Sequence, residues 1–323
     1  LPDTSFHVYE TFVKTDGTMS FTRDGATCFP SGGGYSSADT TLTSGRIAVV
    51  SQGSNKDSYY DYILVRKFID PEPTVTAGAE STPPAGGSFG FRKSITIDRT
   101  KISDGSCGAT LPDFPMLFSV TDADLATTGN GGDVASYDAP SNDPRDIIFR
   151  ALDDDTCGGP GTSPCTLDHE IEKYVDTSGE LVAWVRIPSV NTNAASSDTV
   201  IYIYYGNAGL TESTANPTGV WNDGGNNYFK GVWHLKEASG GSGAIKDSTS
   251  YVNHGTDSGD PVLGATGKIG GAIEFDGSND VIRIDNSNAA GHELDFTAGP
   301  FTISAWINTQ SANTHIAGKR DGS

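Results

Sequence analysis

Three acids and a histidine crowd into five residues at Asp168-His169-Glu170-Ile171-Glu172. A carboxylate beside an imidazole is what general acid–base hydrolysis needs, provided the two groups can reach one another. Alternation along a strand sends Asp168, Glu170 and Glu172 to one face and His169 to the other. That separation breaks the pair, so the segment reads as a strand with a solvated acidic face. Asp153-Asp154-Asp155 is a second acidic run, but it lacks the ligand spacing of an EF-hand loop and reads as a solvated turn. No nucleophile elbow, phosphate loop or His-Glu-x-x-His helix is present. A glycosidase would need two carboxylates facing each other across a cleft, and no motif nominates such a pair. The chain therefore reads as a protein that is not an enzyme.

Composition narrows the class further. Of 323 residues only 35% are hydrophobic, and 40 are glycine. That profile suits many short strands joined by tight turns, an all-β chain of two or three domains. With 41 acidic against 21 basic residues the formal charge is -20, which repels a nucleic-acid backbone. An acidic surface of this kind favours solubility and holds divalent cations loosely. No window of about 18 apolar residues exists, so no helix is expected to span a membrane. Leu1-Pro2-Asp3-Thr4 has no signal-peptide character, so an export signal would lie outside this chain.

The four cysteines, Cys28, Cys107, Cys157 and Cys165, allow three pairings. Cys157 and Cys165 flank Gly-Gly-Pro-Gly-Thr-Ser-Pro, a segment that can only turn, and a local disulfide is expected there. Cys28 with Cys107 stays open. None has zinc-site spacing, and a disulfide implies an oxidising, extracellular setting.

The elements follow from turn chemistry and alternation. Phe6–Val13, Asp16-Gly17 and Met19–Arg23 read as a hairpin, followed by strands at Arg46–Val50 and Tyr59–Phe68. Residues 79–88, rich in Pro, Gly and Ser, read as a linker. Residues 89–228 form a β-rich domain with strands at Ser94–Asp98, Phe114–Val120, Ile147–Phe149, Leu181–Ile187 and Val200–Tyr205, and one helical turn at Asp122–Ala126. Residues 229–323 carry Gly231–Leu235, Ala272–Phe275, Val281–Ile284 and Phe301–Ile307. Those are too few strands to close a two-sheet sandwich.

Gly231-Val232-Trp233-His234-Leu235, Asp247-Ser248-Thr249-Ser250, Gly267–Ala272, Phe275–Asp280 and Phe301–Ile307 stand in the order of the opening half of a jelly roll. Residues 229–323 thereby resemble the laminin-G/concanavalin-type sandwiches. Residues 1–78, with Val8–Val13, Asp24-Gly25 and Tyr60–Lys67, resemble the closing half of a related jelly roll. Between them, Phe91–Ile97, Leu167–Glu172, Leu181–Pro188 and Ile203–Asn207 resemble a domain family of unknown function found beside such jelly rolls in exported bacterial and archaeal proteins. The resemblance implies a multi-domain β-sandwich of jelly-roll type, with incomplete sandwiches at both ends. It also implies a structural Ca²⁺, for which Asp61, Asp247, Asp276 and Asp280 are the candidate oxygens; Asp276 and Asp280 serve equally as turn formers. No cofactor is otherwise required.

Trp184, Trp233 and Trp306 lie in apolar strands and are expected in the core, whereas Trp221 and Tyr228 are the candidate contacts for a carbohydrate ring, with packing at a domain junction as their competing role. The two half-sandwiches have two explanations: the chain is a piece of a longer tandem array, or residues 229–323 of one copy join residues 1–78 of the next. These readings imply an extracellular, cell-surface structural or adhesive protein, assembling head to tail with copies of itself into a filament or against neighbouring surface proteins. A lectin-like module that binds glycans is the alternative.

Overall fold

A computed structural model describes residues 7–13, 19–23, 26–27, 46–50, 58–65, 75–83, 88–102, 109–151, 166–222, 229–284, 294, 301–309 and 317–320. The chain is mostly β, built of antiparallel sheets with one short helix. Five strands come first: β1 (His7–Val13), β2 (Met19–Arg23), β3 (Ala26–Thr27), β4 (Arg46–Val50) and β5 (Ser58–Val65). Next are β6 (Val75–Ser81), β7 (Phe91–Ile97), β8 (Thr110–Thr121), β9 (Ile148–Arg150) and β10 (Thr166–Leu167). Then follow β11 (His169–Val175), β12 (Glu180–Asn191), β13 (Thr199–Tyr205) and the helix α1 (Pro217–Val220). The last are β14 (Gly231–Trp233), β15 (Gly255–Ser258), β16 (Val262–Thr266), β17 (Gly271–Phe275), β18 (Val281–Ile284), β19 (Phe301–Thr309) and β20 (Ala317–Arg320).

These elements form two compact units, one of residues 1–68 together with 226–323, the other of 69–225. In the first, the strand order β16-β17-β5-β19-β1-β2-β3 interleaves the two chain ends, with β14 also on β5. β1 runs antiparallel to β19 from His7↔Ile307 to Val13↔Phe301. β5 is held on one edge by β19 and on the other by β17 and β14. A second sheet, β15-β18-β4-β20, mixes the ends in the same way. Ile273, Phe275, Ile303, Ala305, Ile307 and Trp233 of the first sheet share one core with Ile282 and Ile284 of the second, which makes the unit a two-layer sandwich. The strands of each expected half thus lie beside those of the other within one chain. The sequence shows why: Phe301–Ile307 alternates, and its inward positions must be covered by a second sheet.

The second unit is also a sandwich. Its five-stranded sheet is β10-β9-β13-β7-β6 and its three-stranded sheet is β11-β12-β8. Ile95, Ile97, Phe149, Ile201 and Ile203 from one pack on Phe114, Met116, Phe118, Leu181 and Val185 from the other. The expected linker at 79–88 begins later than its composition implies, since Ala79, Glu80 and Ser81 complete β6, which pairs with β7 up to Ser81↔Arg92. Pro83 and Pro84, which cannot extend a ladder, follow the strand. The register shifts between Ala77 and Glu80, a bulge at Gly78, where a Cβ would run into the Ser94 side chain. Asp122 caps a 3₁₀ turn at Ala123–Leu125, where one helical turn is expected. No helix among the described residues is long and apolar enough to cross a membrane.

Trp233 is fully buried and its indole Nε1 donates to the Asn253 carbonyl at 2.9 Å. Trp233→Ala therefore removes core volume and orphans an acceptor. We expect it to destabilise the first unit by about 3–5 kcal/mol, read as a lowered midpoint in denaturant unfolding monitored by circular dichroism.

Candidate functional site

The acid–histidine segment lies at the junction of β10 and β11, and its side chains are not solvated. Asp168, His169, Glu170 and Glu172 are all buried. The alternation holds at the start of β11: His169 faces inward, its ring 5.4 Å from that of core Phe149, while Glu170 faces the opposite side, cross-strand from Trp184. A bulge between Ile171 and Lys173 falls on Glu172. The outer face expected to be wet is covered by residues 214–222. Trp221 donates its indole N–H to Glu170 at 2.9 Å and packs 5.2 Å from Trp184. Asn216 donates its side-chain N–H to Asp168 at 2.8 Å and its backbone N–H to the His169 carbonyl at 2.8 Å. A Cβ at Gly219 would lie 2.5 Å from the Asp168 carboxyl carbon, so only glycine lets α1 approach this closely. Arg186 reaches Asp113 at 3.1 Å and Asp168 at 3.7 Å.

The arrangement works as a latch. Two carboxylates, one just before β11 and one within it, hold a short covering segment by its Asn and Trp side chains. Trp221 is 3% exposed and its indole is engaged by Glu170 and Trp184, so of the two roles open to it the structure places it in packing rather than open to a sugar ring. Trp233 is in the core as expected, Trp184 is buried beneath the latch, and Trp306 is half-buried. Tyr228, Asp153–Asp155 and all four cysteines lie outside the described residues, and with them the expected Cys157–Cys165 pairing.

Burial lowers the His169 pKa from the ordinary 6.5 to about 4, outweighing the Leu167 backbone hydrogen bond that raises it. The folded state thus keeps His169 neutral where the unfolded chain binds a proton. Its contribution is fully present above pH 6.5 and is lost as pH falls towards about 4.

Asp247 is buried, and its carboxylate accepts four protein donors. The Val232 and Thr249 backbone N–H groups reach Oδ1 at 3.0 and 2.9 Å. The Thr249 hydroxyl and the Asn253 N–H reach Oδ2 at 2.8 Å each. Burial pushes its pKa up against these bonds, which hold it down. With its lone pairs so engaged, Asp247 ties the 247–253 turn to β14. Asp276 and Asp280 do share one turn: the Asp276 N–H donates to Asp280 Oδ2 at 2.9 Å, and Asp276 Oδ1 accepts from the Ser278 N–H at 2.8 Å. Burial, with the nearby charges of Asp276 and Asp260, raises the Asp280 pKa. Asp61 lies in β5, and its side chain is outside the described residues.

Among the described residues, Glu80, Asp124 and Asp133 converge closely enough to share a cation, with ligand oxygens within 4.8 Å of one another. Sequence reasoning missed this group because it joins β6, the turn after β8 and the following loop. Lys93 already supplies positive charge there, bonded to Asp122 and, at 2.7 Å, to Asp124. Tyr205 donates its hydroxyl to Glu80 at 2.6 Å. Burial works to lower the Lys93 pKa, but its bonds to Asp122 and Asp124 raise it overall.

The fold is that of a two-sheet β domain in which a short segment is latched over one face of β11. Residues 161–234 match the family described as domain of unknown function (DUF2341), so the chain contains a DUF2341 domain within a mostly β protein. The match spans β10 to β14 and so includes every partner in the latch. No curated protein and no solved structure matches the chain.

Two outcomes are expected. His169→Gln should flatten the dependence of stability on pH between 6.5 and 4, a difference of about 3 kcal/mol across the window, checked by denaturant titrations at each pH. Asp247→Ala should strand three buried N–H donors and cost about 3–5 kcal/mol, with Asp247→Asn costing less, checked by thermal unfolding.

Proposed function

We propose that this chain is a non-catalytic, extracellular structural or adhesive module of a surface protein, whose two laminin-G/concanavalin-like end segments join copies head to tail by exchanging the partners they have within one chain. The observation that carries this reading is the mutual pairing of the two chain ends, above all β1 on β19 over its whole length and β5 between β19 and β17. Segments that complete each other inside one chain can complete each other between chains by exchange, in the same register and at little cost in contacts. Such an exchange between successive copies is heterologous and extends into a fibre if it does not close. The burial of Asp168, His169, Glu170 and Glu172 under a strap supports the absence of catalysis, because a general acid or base needs access to substrate. The carbohydrate-binding alternative loses its best platform with Trp221 buried.

Sedimentation of the purified chain over a wide concentration range, with electron microscopy of the same samples, tests the reading. Head-to-tail exchange predicts species that grow with concentration and regular filaments. A monodisperse monomer at every concentration would overturn assembly as the function.

A further inference from the structure

The bulge in β6 brings Glu80 opposite Lys93, and Lys93 is the one cation on an otherwise apolar row. It shares the inward face of β7 with Ile95 and Ile97 and pairs across the ladder with core Ile203. Its side chain is only 6% exposed. The ammonium nitrogen donates to Asp122 Oδ2 and, at 2.7 Å, to Asp124 Oδ2. Asp122 belongs to the other sheet, immediately after β8, so the pair bridges the sandwich. The Asp124 backbone N–H donates to Asp122 Oδ1 at 3.1 Å.

An amine held against a carboxyl group, a second carboxylate on the amine and a backbone N–H on the carboxyl oxygen are the parts of an acyl-transfer site with both reactants built in. We propose that Lys93 and Asp122 condense to an intramolecular amide that staples the two sheets of the 69–225 unit. One ammonium proton passes from Nζ to Asp122 Oδ2, giving a neutral amine beside a neutral carboxylic acid. The Nζ lone pair attacks Cγ, and the charge that develops on Oδ1 is met by the Asp124 N–H. Asp124 accepts a second proton from Nζ as the C–N bond forms and delivers it to the departing Oδ2, which leaves as water. One hydrogen remains on nitrogen, and the sum is ammonium plus carboxylate giving amide plus water. The Lys93 side chain, only 6% exposed, limits the return of water to the bond once it has formed. The bond closes a loop across residues 93–122, so it restricts the unfolded chain as a disulfide would, without depending on redox conditions.

Intact-mass measurement of the full-length chain, reduced and fully denatured, reads the outcome directly. The expected mass is one water below that of the sequence, with a branched peptide joining Lys93 to Asp122 after digestion. Lys93→Arg should show the full mass of its own sequence. Asp124→Asn should fold, by circular dichroism, yet stay at full mass or link many-fold more slowly. A folded wild-type protein at full sequence mass, with Lys93 free to take an amine-reactive label once denatured, would overturn the proposal. So would loss of water without the branched peptide, as from a succinimide elsewhere. Unimpaired linkage in Asp124→Asn would remove Asp124 as the proton carrier. None of these readings depends on whether copies of the chain assemble.

Discussion

A strand cannot leave both edges and an apolar face unsatisfied, and β5 meets that constraint only with help from the far end of the chain. Its N–H and C=O groups are taken on one side by β19 and on the other by β17 and β14, all from residues beyond 226. The same holds for β4, which lies between β18 and β20. Remove either end and the other exposes long ladders of unpaired backbone together with Ile273, Phe275, Ile303 and Ile307. The sandwich of the first unit is therefore a pact between distant segments, and the 69–225 unit is what the chain builds between them.

Within that second unit, several buried polar groups hold the elements that cover them. Asp168 and Glu170 hold the 214–222 strap, Asp146 collects the backbone N–H groups of Ala135, Gly206 and Asn207, and Lys93 draws the Asp122 turn of one sheet onto the other. Each is a charged or polar side chain whose desolvation is offset by specific donors or acceptors. In the first unit Asp247 does the same for its turn.

Much of the fold was legible in the sequence. The Asp16-Gly17 pair announced the β1–β2 hairpin, alternation marked β7 and β19, β-branched and aromatic residues marked β13, and Asp122 marked its helical turn. What escaped were β6, whose Gly78-Ala79 bulge hides its alternation, and short strands such as β15, β16 and β20. The separation of His169 from Glu170 followed from period two alone. The burial of the acidic face did not, because the strap that covers it lies some fifty residues downstream and is joined to it by tertiary hydrogen bonds. The Glu80–Lys93–Asp122–Asp124 group was illegible for the same reason: its members come from two strands and a turn that only the packed sheets bring together.

Amide hydrogen exchange of the dilute, intact chain tests the joining of its ends most directly. If residues 58–65 and 301–309 form adjacent rungs of one sheet, their amides exchange together, slowly, and at the rate of cooperative opening of that unit. Rapid exchange across 58–65 while 271–284 and 301–309 stay protected would contradict the account, because it would mean that the C-terminal segment holds its structure without β5.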